Sequence, residues 1–167
     1  MGQLANLIIA LDAEPARRKK NVIEVEMPLG SDWNGRFYMV DNAGSGGRIN
    51  YRRMANARHM GYASASTDQG YDAQTEGGDL FGYNNRQKEI DFGFRAVHVT
   101  AETAKAVIEA FYSRPAEYSY FVGGSAGGRQ ALFGPCIAIH GGCSPTISAP
   151  GDCPGKRSSP LELQTPS

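Results

Sequence analysis

Cysteine, histidine and tryptophan are scarce here: 167 residues hold three, three and one of them, and the formal net charge is zero. The cysteines, Cys136, Cys143 and Cys153, all fall near the C-terminal end. Their spacing fits no zinc finger or ribbon and an odd count leaves one unpaired, so they are read as incidental. Zero net charge supplies neither the basic excess that nucleic acid attracts nor the acidic block of a solvating tail. No apolar run approaches the length of a membrane span. The short apolar stretch at residues 4–11 lacks a basic n-region and a cleavage site, so it is not read as a signal peptide. Nucleic acid, membrane, metal and cofactor are therefore not expected partners of this chain.

Glycine, by contrast, is plentiful at 21 residues, and hydrophobic residues make up 41% of the chain. That composition suits a globular domain with a real core and many tight loops. The densest glycine cluster follows Tyr118-Ser119-Tyr120-Phe121-Val122, which has strand chemistry. Gly123, Ser125 and Gly127 then fit the G-x-S-x-G pattern of a nucleophile elbow. In such an elbow the serine sits on a sharp strand-to-helix turn, and the residues two before and two after must be small because strand and helix pass closely. The helix points its unpaired N–H groups at the serine, and the N–H of Ala126 is the expected oxyanion donor. The competing local reading is a glycine-rich turn that happens to expose a serine.

Earlier in the chain, Asn21–Met27 alternates Ile23, Val25 and Met27 with Glu24 and Glu26, the pattern of a half-exposed strand. Phe37-Tyr38-Met39-Val40 reads as a strand buried on both faces, running into the loop Asp41-Asn42-Ala43-Gly44-Ser45-Gly46-Gly47. Residues 48–59 are expected to be helical, with Ile49, Met54 and Ala57 inward. Residues 61–66 form a short strand of small side chains. Ile90, Phe94, Val97, Ala101, Ala104, Ile108 and Phe111 recur at helical spacing, with Asn84 or Asn85 placed to cap and Arg114-Pro115 to end the helix. Strands alternating with helices predict a parallel sheet, with ligands at the strands' carboxyl ends. From Gly134 onward proline, glycine and serine dominate without strand or helix period, so residues 134–167 read as a disordered or frameshifted tail and residues 1–133 as the domain.

Five blocks in order carry a family resemblance: Trp33-Asn34-Gly35-Arg36-Phe37; the Asn42-Ala43-Gly44 loop; Gly61 to Asp68; Asp91 to His98; and Tyr120 to Leu132. Together they resemble the tannase and feruloyl esterase family of α/β-hydrolases, whose relatives include a mono(2-hydroxyethyl) terephthalate hydrolase. The resemblance implies an α/β-hydrolase sheet with flanking helices, ending after the elbow. It implies a secreted or periplasmic serine esterase acting on aryl or phenolic esters, with a lid domain, absent here, that often holds calcium. Carried over by position, Ser125 is the nucleophile, and Ala126 and Gly44 provide the oxyanion-hole N–H groups. Ala43 stands where a glycine is usual. Gly124 stands where most members carry a cysteine bonded to one beside the catalytic histidine, so that bond cannot form here.

The order Ser, acid, His of α/β-hydrolases leaves Asp152, Glu162 and His140 as the sole acids and histidine after Ser125. His140 comes too early to follow an acid, so this chain is expected to lack its own base and to be inactive alone. His98 reads as a helix residue and His59 as a cation at a helix end. Asp68 and Asp91 are expected to hold loops by accepting from backbone N–H groups. The 44–48 loop lacks the Lys-Ser/Thr of a phosphate-binding loop, which disfavours a nucleotide module. The alternative to an esterase is a catalytically dead hydrolase fragment or binding remnant.

Overall fold

The computed structural model of the chain describes residues 5–11, 21–42, 44–77, 80–137 and 143–147. Six strands join in one sheet in the order β1-β2-β4-β3-β5-β6. β3 (Arg36–Val40) pairs in parallel with β4 (Ala63–Thr67) and with β5 (Tyr118–Gly123), as the alternation of strands and helices predicts. β2 (Asn21–Met27) instead pairs antiparallel with β4. The sheet is therefore mixed, a correction with a simple cause. Parallel strands need a crossover of a dozen or more residues, and residues 28–35 make only a turn between β2 and β3. The apolar run near the N-terminus is a strand too: β1 (Ala5–Leu11) pairs antiparallel with β2.

One face of the sheet packs on α3 (Ala96–Tyr112). Ile23, Val25, Phe37, Met39, Ala63, Ala65 and Phe121 meet Val97, Ala101, Ala104 and Ile108 in one buried cluster. Alanines on both sides let helix and sheet approach closely. The opposite face, reached by the alternate residues of each strand, is covered in part by α1 (Tyr51–His59), whose Met54 and Ala57 are buried. Ser64 of that face donates to the Met54 carbonyl at 3.4 Å. This coverage corrects the reading of β2 as half-exposed. Glu24 and Glu26 lie opposite Ser66 and Ser64 and are only 4% and 8% exposed. Arg58 of α1 approaches Glu26 at 3.8 Å, and burial pushes the Glu26 carboxyl up.

The predicted long helix is in fact α2 (Arg86–Ile90), a π-helical turn (Asp91–Arg95) and α3. Asn85 caps it, accepting from the Lys88 N–H, and Ser113 ends it in the left-handed conformation. The π turn inserts a residue into the helical repeat, which rotates Phe94 out of the buried face; it is 45% exposed. Phe111, 46% exposed, sits in the last turn and packs edge-on against Tyr112 instead. Ile49 precedes α1 and is half-buried.

Past the elbow regular structure continues beyond Gly134, where the sequence shows no period. α4 (Ala126–Ile137) runs through Pro135. β6 (Cys143–Ile147) then pairs in parallel with β5, so β5 is not an edge, and the segment after Gly134 does contain regular structure. β6 is the terminal strand of the described sheet, where Pro145 is tolerated because an edge strand has one unpaired side. Residues 148–167, with Cys153, lie outside the described residues.

At the base of the sheet Tyr112 stacks on Trp33, ring centroids 3.8 Å apart, and its hydroxyl donates to the Pro28 carbonyl at 2.7 Å. Burial raises the phenol from 10.0 to about 12. A raised phenol contributes stability that is complete below its unfolded value and lost as pH climbs through the folded one. Unfolding in urea, followed by emission of Trp33, the chain's one tryptophan, is therefore expected to show stability falling between about pH 10 and 12. Tyr112→Phe should lessen that fall and cost about 1 kcal/mol at neutral pH through the lost hydrogen bond.

Candidate active site

The carboxyl ends of β3, β4 and β5 bring together the loop after Val40, the turn after Thr67 and the elbow. The ties between them are specific. Asp41, 1% exposed, accepts from the Gly124 N–H at 3.1 Å and forms an ion pair with Arg53 of α1. Its backbone carbonyl accepts from Asn50 Nδ2 at 2.9 Å, while Asn50 N–H donates to Ser66 Oγ at 3.1 Å and Asn50 Oδ1 caps α1. Asn42 Nδ2 donates to the Thr67 carbonyl. One carboxylate and two asparagines thus lock three strand ends and a helix start. Burial is the largest influence on the Asp41 carboxyl and pushes it above its ordinary value, against the pull of the Gly124 N–H and Arg53.

Ser125 stands at the strand-to-helix turn with φ +56°, a conformation that costs a non-glycine residue on the order of 1–3 kcal/mol. It is exposed, and its carbonyl accepts from the N–H groups of Gly128 at 3.0 Å and Arg129 at 3.2 Å. The two flanking glycines are required by contact. A Cβ on Gly123 would overlap the backbone of Gly127, and a Cβ on Gly127 would overlap the Asp41 carboxylate. Ala126 opens α4, and its N–H, unlike those of Gly127, Gly128 and Arg129, makes no backbone hydrogen bond among the described residues. Gly124 donates its N–H to Asp41.

Gly44 is exposed, with φ +63° and open space around it. It lines a cleft of about 600 Å³ together with Asn42, Ser45, Gly46, Arg48 and the first residues of α1. Ser125 does not line that cleft. Arg129 of α4 donates to the Phe92 carbonyl at 3.1 Å and lies over the Phe92 ring, 4.2 Å from its centroid. The π turn that presents this carbonyl so anchors the elbow helix.

The acids expected to be structural are so. Asp68 Oδ1 accepts from the Val22 and Gly70 N–H groups at 3.0 and 2.8 Å. Asp91 holds side chains rather than backbone, accepting from Gln87 and Arg95 at 2.9 and 2.8 Å. His98 is half-buried in α3 and His59 exposed at the end of α1. No hydrogen bond among the described residues joins Ser125 Oγ to a histidine, and His140 lies outside them. Nor does any group of three His, Cys, Asp or Glu side chains among the described residues stand ready to hold calcium or another metal ion. No helix among them is long and apolar enough to cross a membrane. Asp41, Arg53, Asn50 and Arg129 were not singled out from sequence; an aspartate between a buried strand and a glycine loop is the signal that could have found the first.

A family model described as Tannase and feruloyl esterase matches residues 7–135. An uncharacterized esterase of Xanthomonas campestris is 37% identical over 120 residues, 72% of this chain and 20% of that protein. A probable feruloyl esterase B-2 of Aspergillus flavus is 32% identical over 124 residues, 74% of this chain and 23% of that one. The crystal structure of feruloyl esterase B from Aspergillus oryzae superposes with a TM-score of 0.63 at 29% identity, covering 77% of this chain and 24% of that one. The chain thus spans under a quarter of the length of these relatives.

The close passage at the elbow predicts a sharp contrast between two glycines. Gly127→Ala is expected to lower unfolding free energy in urea by about 2–3 kcal/mol, because backbone or carboxylate must shift. Gly93→Ala, where a Cβ meets nothing within 4 Å, should be neutral or mildly stabilising.

Proposed function

The chain belongs to the tannase and feruloyl esterase family and has an α/β-hydrolase sheet, and from that premise we propose that it carries the nucleophile half of a serine carboxylic ester hydrolase. The observation that carries the reading is Ser125 itself, exposed at φ +56° between two glycines that cannot be larger. Ser125 Oγ attacks the ester carbonyl carbon while a base takes its proton. The oxyanion so formed is held by the N–H groups of Ala126 and Gly44, donors of a kind that contribute on the order of 10²-fold each in rate. Collapse expels the alcohol or phenol, and water cleaves the acyl-enzyme in a second round. Aryl or phenolic esters are the substrate class in this proposal, and action outside the cytoplasm goes with it. The base and its acid partner come from beyond the described residues.

An unassisted serine hydroxyl is a poor nucleophile near neutral pH. The 167-residue chain is therefore expected to show no Ser125-dependent turnover of a p-nitrophenyl ester by itself. Imidazole added as an external base should restore reactivity toward a fluorophosphonate: Oγ displaces fluoride from phosphorus and imidazole takes the proton. The adduct, mapped by mass spectrometry, should lie on Ser125 and vanish in Ser125→Ala. An adduct elsewhere, or one that persists in Ser125→Ala, refutes the nucleophile assignment and favours a dead remnant.

A further inference from the structure

Gln69, in the turn that follows β4, has no part in the mechanism above. Its side chain is fully buried, at 0% exposure. Its backbone sits at φ +65°, a conformation that costs a residue with a side chain. The backbone N–H is satisfied by Thr67 Oγ1 at 3.1 Å. The carboxamide is not: neither Oε1 nor Nε2 has a hydrogen-bond partner among the described residues. Two orphaned polar atoms in the interior oppose folding, and an apolar side chain of the same shape would pack there without that cost.

What the carboxamide faces is the loop that carries Gly44. A Cβ on Gly46 would fall 2.7 Å from Gln69 Oε1 and 3.3 Å from Nε2. The amide therefore lies against the Gly46 backbone, and only glycine admits it. The 44–47 loop is tied down at alternate residues. The Tyr71 hydroxyl donates to the Ser45 carbonyl, and the Ala73 N–H donates to the Gly47 carbonyl at 3.0 Å. Between these ties Gly44 has open space around it, while Gly46 rests on the carboxamide. A donor–acceptor pair waits beneath the segment that must aim the Gly44 N–H.

We propose that Gln69 is a positioning residue of the oxyanion hole, an inference that rests on the reading of Gly44 as its second donor. As negative charge develops on the substrate oxygen, the Gln69 carboxamide hydrogen-bonds the peptide groups of residues 44–46 and holds the Gly44 N–H on that oxygen. The amide is unpaired at rest and paired in the transition state, so its interaction lowers the barrier without tightening the ground state.

The test is Gln69→Met, which keeps length and volume but removes both polar atoms, in the 167-residue chain labelled by fluorophosphonate with imidazole. The phosphoryl oxygen of that reagent occupies the oxyanion position. The rate constant of inactivation is expected to fall about tenfold, the inhibition constant to stay within about twofold, and the urea midpoint read from Trp33 to stay level or rise. Gln69→Asn tolerates the positive φ but withdraws the carboxamide by one methylene. It is the second variant should Gln69→Met fail to fold at that φ, and its rate constant should fall as well. An unchanged rate constant in both variants overturns the proposal. A loss of stability that parallels the loss of rate makes Gln69 structural and overturns it as well, as does a change confined to the inhibition constant. Failure of the unsubstituted chain to label at Ser125 is a different result: it strikes the proposed function, and this inference falls with it.

Discussion

The approach of α4 to the end of β3 is the constraint on which the rest of the carboxyl edge depends. Gly127 passes so near Asp41 that a Cβ on the glycine would overlap the carboxylate. Asp41 in turn receives the Gly124 N–H, pairs with Arg53 and takes the Asn50 side-chain amide on its carbonyl. A buried carboxylate with these partners is satisfied; with one removed it becomes an uncompensated charge, which is far more costly than the pair is favourable. The elbow, the glycine loop and the first turn of α1 therefore stand or fall together. The positive φ of Ser125 persists only because this network over-determines the turn.

Behind that edge, the sheet supplies rigidity by being covered on both faces. α3 takes one face with alanines at Ala96, Ala101 and Ala104, and β4 answers with Ala63 and Ala65. Small residues here are what bring the helix close enough to support three parallel strand ends at once. The other face is served by α1, and it carries the polar residues Glu24, Glu26, Ser64 and Ser66 in buried positions. A serine that donates to a helix carbonyl and a glutamate near Arg58 make that polar layer tolerable.

The site itself is asymmetric. On the elbow side the geometry is tight, with Arg129 fastening α4 to the π turn through the Phe92 carbonyl. On the Gly44 side it is open, a cleft beside a loop held only at intervals. Under the proposed function, a rigid nucleophile and an adjustable oxyanion loop would divide the labour of acyl transfer, where the attacking oxygen is fixed first and charge appears later on the carbonyl oxygen. The membership in an esterase family and the local geometry point the same way, although this chain spans under a quarter of the length of the Xanthomonas and Aspergillus relatives.

By itself the sequence determined the local features: the elbow at Gly123 to Gly127, the buried run of β3, the capped helix that starts after Asn85 and the family to which the chain belongs. These are written in short-range patterns of residue size and hydrophobic period, which a linear reading captures. Tertiary structure alone decided the rest. Strand direction depended on whether residues 28–35 were long enough for a crossover. The burial of Glu24 and Glu26 depended on where α1 came to lie, and the exposure of Phe94 on an extra residue in a π turn. Pairing of β5 with β6 joined segments of chain on either side of α4. The tie of Asp41 to Gly124 across the sheet and the burial of the Gln69 amide against Gly46 arise where strand ends meet, and no periodicity records them, because a pattern reports the face a residue occupies and never what is packed against it.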